Sequence, residues 1–223
     1  MSTEPPNWGT DFVDRLLDWY EEHGRRGLPW RAADASPFEV LVAELMLQQT
    51  SARQVLNVYD AFVETYPTPE SILETPRERL ADDIEPLGLR KRTRYFYEAS
   101  EQLVAEHDGA VPNDRSELLE LRGVGEYTAA SVLAHGFEKD VAAVDTNVAR
   151  VLSRVFGLDR ETEPEANENW VVAELLLPPD RGSDYVHAFI DFGAAVCTAT
   201  DPNCESCPAG PVCEFRRNEK PTG

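Results

Sequence analysis

Lysine is nearly absent from this sequence, and no long apolar run interrupts it. Only three of its 21 basic residues are lysine, and 41 acidic residues bring the net charge of the 223-residue chain to −20. No stretch approaches the roughly 18 consecutive apolar residues that a membrane-spanning helix needs. The first residues, MSTEPPNWGTDFVDR, have neither the basic leader nor the apolar core of a signal peptide. We therefore expect a cytoplasmic protein that makes no contact with a membrane.

The acidic excess allows two interpretations. An acidic surface normally argues against a nucleic-acid partner, because the phosphate backbone attracts basic surfaces. A lysine-poor acidic surface also suits a halophilic protein, since molar salt shortens the Debye length to about 3 Å and screens repulsion. We favour the halophilic interpretation, under which local basic clusters are more informative than net charge. One cluster, RKRTR, is either a solvated helix face or a phosphate contact made by Arg90, Lys91 and Arg92.

Strand-like alternation is also absent, and apolar residues recur at helical spacing instead. Phe12, Leu16 and Tyr20 lie on one face of a predicted helix near the start of the chain. The segment PFEVLVAELMLQQT opens with Pro37 and is nearly all apolar, as expected for a helix buried on most sides. With 42% hydrophobic residues, the chain is long enough for one large core or two small ones. The sequence predicts an all-α protein.

Cysteine is confined to the C-terminal part of the chain. Cys197, Cys204, Cys207 and Cys213 follow the spacing C-x6-C-x2-C-x5-C, and no other cysteine is left to form disulfides with them. Four thiolates this close together, with proline and glycine between them, fit one tetrahedral metal centre. The spacing alone does not separate a four-cysteine zinc site from an iron–sulfur cluster.

The stretch LRGVGEYTAASV predicts two helices joined by a tight hairpin. One helix ends at Leu121, the chain turns through Gly123, Val124 and Gly125, and a new helix begins at Glu126. Glycines let the backbone approach a partner closely, and the N–H groups at a helix N-terminus bind phosphate without basic side chains.

In addition to the hairpin, two acidic residues of the sequence are candidates for catalysis. Asp145 in VDTNVARVL directly precedes a predicted helix, where it is either an N-cap or a catalytic carboxylate. Glu44 is a single acid among apolar neighbours in VLVAELML. Burial there would raise its pKa and favour the protonated acid, whereas an exposed position on an amphipathic helix would leave it unremarkable.

Together, AELMLQQT, LRGVGEYTAASV, VDTNVARVL and the cysteine spacing resemble the helix–hairpin–helix base-excision DNA glycosylases. This superfamily includes endonuclease III, MutY-like adenine glycosylases and Mig-like mismatch glycosylases. The resemblance runs from about Leu28 to Arg216. It implies a six-helix barrel with the hairpin at residues 30–137, and a second helical domain at residues 1–29 and 138–223 that carries a [4Fe-4S] cluster on the four cysteines. It also implies a monomer that binds double-stranded DNA containing a mismatched or damaged base.

The resemblance assigns chemistry to three residues. Cleavage of an N-glycosidic bond passes through an oxocarbenium-like sugar, which needs a carboxylate to stabilise it and a proton donor for the leaving base. Asp145 matches the family's carboxylate and Glu44 its general acid. Tyr127 stands where endonuclease III carries the lysine that forms a Schiff base, and tyrosine cannot form one. We expect no AP lyase activity, with Tyr127 either lining the base pocket or packing in its helix.

Base flipping leaves a gap in the duplex that the protein must fill. Gln49 matches the family's wedge glutamine, with Gln48 as its neighbour. Asn147 matches an asparagine beside the base pocket of MutY-like enzymes.

Two segments of the sequence favour different substrates. The segment ELMLQQT favours a MutY-like enzyme that removes adenine mispaired with guanine or 8-oxoguanine. The segment LGLRK instead resembles Mig-like enzymes, which act on G:T and G:U mismatches. A remote alternative is a non-catalytic DNA-binding protein that uses the hairpin and the metal domain only for docking. On the halophilic interpretation, DNA binding should persist in molar potassium chloride.

Overall fold

The computed structural model describes residues 7–88, 90–158 and 168–218, without the side chains of Asn7, Trp8, Arg90 and Lys91. Every regular element in these ranges is a helix, which confirms the all-α prediction. The chain divides into two compact units, one formed by Arg26–Glu138 and the other by Met1–Arg25 with Lys139–Gly223. The first is called the central unit below and the second the terminal unit. Their predicted identities as a barrel domain and a cluster domain stay predictions.

The described residues of the central unit form eight helices and two 3-10 turns. The turns are Pro29–Arg31 and Glu85–Leu87; the helices are α2 (Pro37–Leu47), α3 (Ala52–Leu56), α4 (Tyr59–Thr65), α5 (Pro69–Leu73), α6 (Arg77–Asp83), α7 (Arg90–His107), α8 (Arg115–Glu120) and α9 (Glu126–Gly136). Helix α2 begins at Pro37 behind a capping box formed by Ser36 and Glu39. Its apolar residues are buried on nearly all sides, chiefly against α9 and α7.

The hairpin forms as predicted between α8 and α9. Helix α8 ends at Glu120, Leu121 caps it, and α9 begins at Glu126. Gln102 of α7 holds the entry to the hairpin, because its Oε1 accepts from the Arg122 N–H at 2.7 Å and its Nε2 donates to the Glu120 carbonyl at 2.8 Å. The hairpin is therefore fixed to the body of the central unit by side-chain hydrogen bonds.

Among the described residues, the terminal unit joins one helix from the start of the chain to four from its C-terminal part. Its helices are α1 (Asn7–His23), α10 (Thr146–Phe156), α11 (Glu168–Leu175), α12 (Gly182–Ala195) and α13 (Glu214–Asn218). Helix α10 packs against α11, α12 and α13, and α1 packs against α12. The ring of Phe12 contacts those of Phe156 and Phe189, with centroids 5.4 and 5.6 Å apart.

An ion pair between the buried Asp191 and the exposed Arg25 joins distant parts of the chain within the terminal unit. Asp191 of α12 is 2% exposed, and its carboxylate accepts from the backbone N–H of Arg25 at 2.7 Å and from the Arg25 Nε at 2.8 Å. Charge-assisted bonds of this kind are about twice as strong as neutral ones. No helix in the described part of the chain is long and apolar enough to cross a membrane.

Candidate active site

Glu44 is buried inside the central unit rather than exposed on an amphipathic helix. It lies on α2 with 7% of its surface accessible, and the residues on either side of it, Ala43 and Leu45, are buried apolar side chains. Ser131 of α9 donates a hydrogen bond from its Oγ to the Glu44 Oε1 at 2.6 Å. The predicted general acid is therefore desolvated and held by a partner from a different helix.

Tyr127 lies on the same helix as this partner. It occupies the first turn of α9, is half-buried, and precedes Ser131 by four residues. Side chains four residues apart on a helix share a face. Tyr127 therefore lies on the side of α9 that Ser131 directs towards Glu44, one turn closer to the hairpin.

The loop after α2 lies against the hairpin within the central unit. Gln48 donates from its Nε2 to the Gly123 carbonyl at 2.8 Å, so two segments predicted to bind DNA are in direct contact. Gln49 is exposed and has a positive φ of 59°, a conformation that non-glycine residues adopt at a cost. Thr50 donates its hydroxyl to the Met46 carbonyl and closes the turn. The predicted wedge is thus presented to solvent by a tightly held backbone.

Arg92 departs from the prediction that the RKRTR cluster faces phosphate. It is 3% exposed, its Nη1 donates to the Met46 carbonyl at 2.6 Å, and burial lowers its pKa. It supports the C-terminal end of α2, where a positive charge is favourable beside the helix dipole, instead of reaching the surface. Leu89 and the side chains of Arg90 and Lys91 lie outside the described residues.

Asp145 is the N-cap of α10 in the terminal unit. Its Oδ1 accepts from the backbone N–H groups of Asn147 and Val148, both at 2.8 Å, and its Oδ2 accepts from the Asn147 Nδ2 at 2.7 Å. The predicted cap is confirmed, and a cap does not exclude a catalytic role because the residue is only half-buried. Three donors fix the orientation of the carboxylate.

Arg150 extends this arrangement, although no sequence pattern points to it. Its Nη2 donates to the Asn147 Oδ1 at 2.9 Å and to the Gly193 carbonyl at 2.8 Å, while its Nε donates to the Cys197 carbonyl at 3.0 Å. Gly193 permits this approach, since a Cβ there would lie 2.9 Å from the Asn147 Cβ. A chain of hydrogen bonds therefore runs from Asp145 to the first cysteine.

The four cysteines line one common cavity beside α10 and α12. The pKa of the Cys207 thiol is raised to about 11, chiefly by burial and further by the nearby Cys197, Cys213 and Cys204, against a backbone hydrogen bond from Ala209 that lowers it. Among the described residues, however, no group of three or more His, Cys, Asp or Glu side chains is drawn together so as to hold a metal ion.

Arg154 braces the loop that follows Cys197. Its Nη1 donates to the Thr198 carbonyl at 2.6 Å, its Nη2 donates to the Ala199 carbonyl at 2.9 Å, and its guanidinium lies 5.1 Å from the ring centroid of Phe215. The cysteine-bearing segment is thus fixed to α10 at two points, by Arg150 and by Arg154.

Comparison with known proteins decides the family. Residues 42–173, more than half of the chain, match the HhH-GPD superfamily base excision DNA repair protein model. The chain belongs to the HhH-GPD superfamily. The recognition from the sequence is therefore confirmed, and the protein is a DNA glycosylase.

Relatives in this superfamily carry two different names. The chain is 38% identical over 212 residues to a thymine/uracil-DNA glycosylase of Pyrobaculum aerophilum, covering 92% of each chain. It is 35% identical over 208 residues to an adenine DNA glycosylase of Mycolicibacterium smegmatis, covering 93% of this chain and 70% of the relative. Among solved structures, a thermostable thymine-DNA glycosylase superposes with a TM-score of 0.89 at 33% identity, over 94% of this chain and 97% of the other.

Proposed function

We propose that this HhH-GPD protein is a monofunctional mismatch glycosylase that removes thymine or uracil paired with guanine. The observation that carries the proposal is the likeness of the whole fold to a thymine-DNA glycosylase, with a TM-score of 0.89 over 94% of the chain. The 38% identity to a thymine/uracil-DNA glycosylase over 92% of each chain supports the same substrates, whereas the short segment ELMLQQT favours adenine. Adenine opposite guanine or 8-oxoguanine is the second candidate, favoured by 35% identity to an adenine DNA glycosylase.

The two carboxylates divide the chemistry between them. Glu44, desolvated in the apolar interior of the central unit, donates a proton to the departing base. Asp145, whose oxygens are oriented by Asn147 and Val148, stabilises the positive charge that develops on the sugar as the bond from C1′ to the base breaks. Water then adds to C1′ and leaves an abasic site.

Tyr127 restricts the reaction to base removal. Strand cleavage by β-elimination requires an amine that forms a Schiff base with the opened sugar, and the phenol of tyrosine forms none. The product is therefore an abasic site in an intact strand.

The hairpin and the wedge loop provide the DNA contacts. Exposed N–H groups at Gly125 and at the start of α9 bind a phosphate, and Gly123 and Val124 shape the turn that presents them. Gln49, exposed at the tip of its loop, fills the gap that the flipped nucleotide leaves, while Gln48 fixes that loop to the hairpin. Asn147 orients Asp145.

We further propose that Cys197, Cys204, Cys207 and Cys213 hold a [4Fe-4S] cluster. Their common cavity supports it, and so do the hydrogen bonds from Arg150 and Arg154 that hold the loop after Cys197. When bound, the cluster would cross-link the segment from Cys197 to Cys213, which lies between the end of α12 and the start of α13. Broad visible absorbance and about four irons per chain are expected; a colourless protein with one zinc would contradict this assignment.

The substrate test is single-turnover base release on duplexes that contain G:T, G:U, G:A or 8-oxoguanine:A. Each reaction is divided, and half is treated with hot alkali to cleave abasic sites. We expect cleavage of the thymine and uracil strands, after alkali only, at both low and molar potassium chloride. Cleavage of the adenine strand alone would establish the second candidate, and cleavage without alkali would contradict the monofunctional mechanism. Release from none of the duplexes would reject the proposed substrates.

A further inference from the structure

We infer that Ser131 is a positioning residue for base removal, which holds the Glu44 carboxyl in the orientation needed to protonate the leaving base. The inference rests on the proposed function, because it requires Glu44 to be the proton donor. Its basis is the hydrogen bond of 2.6 Å from the Ser131 Oγ to the Glu44 Oε1, between two side chains that are 0% and 7% exposed.

The two helices that carry this pair leave it little freedom. Most of the buried neighbours of Ser131 along α9 are small or apolar: Ala129, Ala130, Val132, Leu133 and Ala134, with Thr128 also buried there. Gly136, near the end of α9, lies so close to the start of α2 that a Cβ there would be 2.9 Å from the Pro37 Cα. Because small residues allow the helices to approach closely, the spacing of α2 and α9 is set by packing and the hydroxyl is brought to a fixed point.

The position of Ser131 on α9 links the acid to the DNA-binding end of the helix. Helix α9 begins at the hairpin, and Tyr127 and Ser131 follow on one face. The helix whose N-terminus binds phosphate is therefore the helix that orients the acid. The aspartate in the other unit is held by its own helix, whereas Glu44 takes this bond from a neighbouring one.

A purely structural role is the competing explanation, since buried polar groups are normally paired. That role affects folding alone. A positioning role affects the rate constant of base release while DNA affinity stays constant, and it acts only when Glu44 can donate a proton. The two roles are therefore distinguished by comparing rate, affinity and stability in the same variants.

The experiment uses the full chain and the duplex that the wild-type protein cleaves. Ser131→Ala removes the donor, and Ser131→Cys replaces it with a weak donor of similar size in case the alanine variant does not fold. Ser100→Ala is the matched control. Ser100 is likewise buried in the central unit, with 1% of its surface exposed, but its Oγ has no hydrogen-bond partner in the described part of the chain. Each substitution is also made in the Glu44→Gln background.

We expect Ser131→Ala to slow single-turnover base release about tenfold, with the dissociation constant for DNA unchanged. The rate constant of Ser131→Cys should fall between those of the wild-type protein and Ser131→Ala. Ser100→Ala should match the wild-type rate. In the Glu44→Gln background, Ser131→Ala should cause no further loss, because the two residues act as one unit.

The inference is overturned if Ser131→Ala keeps the wild-type rate, or if it slows the Glu44→Gln variant by the same factor as the wild-type protein. A fall in rate matched by equal losses of DNA affinity and thermal stability would also overturn it. Failure of the proposed function has a different signature. There the wild-type protein releases no base, or Glu44→Gln releases it at the wild-type rate.

Discussion

Asp145 and Asp114 are chemically identical caps at the starts of different helices. Asp114 accepts from the N–H groups of Ser116 and Glu117 just as Asp145 accepts from those of Asn147 and Val148. Asp145 also has a second oxygen held by the side chain of Asn147 and a place in the network that reaches Cys197. The two residues therefore allow capping to be separated from catalysis.

Asp145→Asn should lower the rate constant of base release roughly a thousandfold while thermal stability and DNA binding stay close to wild type. The reason is that asparagine caps a helix about as well as aspartate but carries no charge to stabilise the sugar cation. Asp114→Asn is the control and should leave the rate unchanged. A variant at Asp145 that releases base at the wild-type rate would remove this residue from the mechanism.

The sequence singles out the two carboxylates as candidates, with Asn147 beside Asp145, but it does not point to Ser131 or Arg150. Asp145 and Glu44 were recognisable because each stands in a local motif. Ser131 lies 87 positions from Glu44, and Arg150 lies 47 positions from Cys197, so no local pattern joins them. The prediction that Arg92 lies on the surface is wrong for a related reason. In a continuous helix one residue of a basic run must face inward, and Arg92 lies one turn before the buried Phe96.

The hairpin shows how one element uses two glycines for different purposes. Gly123 has a positive φ of 86°, and a Cβ there would lie 3.0 Å from the Cβ of Tyr95 and 3.2 Å from the Leu45 Cδ2. Gly125 has a φ of −109°, and a Cβ there would meet nothing within 4 Å. The first glycine is required by the fold, and the second leaves space beside the predicted phosphate site.

Gly123→Ala should lower the free energy of unfolding by about 2 kcal/mol, since an L-residue with left-handed backbone costs roughly 1–2 kcal/mol before any steric contact is counted. Gly125→Ala should cost about 0.5 kcal/mol, the difference expected at an N-cap, and should weaken DNA binding more than stability. Urea unfolding and DNA titration of both variants measure the two effects. Equal losses of stability would contradict this division.

The hairpin and the cap of α10 could be predicted because each is encoded within about ten residues. The two units could not be derived from local patterns and were expected only from the family resemblance. The terminal unit depends on contacts between distant segments, such as the bond between Arg25 and Asp191, which are 166 positions apart. Helical periodicity shows which faces of such segments are buried but not which other segment covers them.

At the scale of the whole molecule, acidic residues outnumber basic ones and leave a net charge of −20. Several arginines form ion pairs at the surface: Arg15 with Asp11, Arg79 with Asp83, Arg94 with Glu98 and Arg115 with Glu126. Exposed pairs of this kind contribute about 0–1 kcal/mol each. Mutual repulsion of the remaining carboxylates therefore opposes folding, and this repulsion weakens when salt is added or when acid protonates them.

His135 acts in the opposite direction when the pH falls. Its Nε2 is buried in the central unit, and its pKa is lowered from 6.5 to about 3, first by burial and then by the positive charge of Arg31. Between these values the unfolded chain binds a proton that the folded chain does not bind. Above about pH 6.5, His135 has no effect on the pH dependence of the free energy of unfolding. As the pH falls from there towards 3, the histidine lowers this free energy by up to about 1.4 kcal/mol per pH unit.

His135→Gln should consequently flatten the loss of stability in acid. The measurement is the free energy of unfolding in urea at intervals from pH 7 to pH 4, for the wild-type protein and the variant. Carboxylate protonation affects both proteins equally, so the difference between the two curves isolates the histidine. We expect this difference to favour the variant increasingly as the pH falls below about 6.5. Parallel curves would mean that His135 binds its proton equally in the folded and unfolded chains, and the burial argument for this residue would then fail.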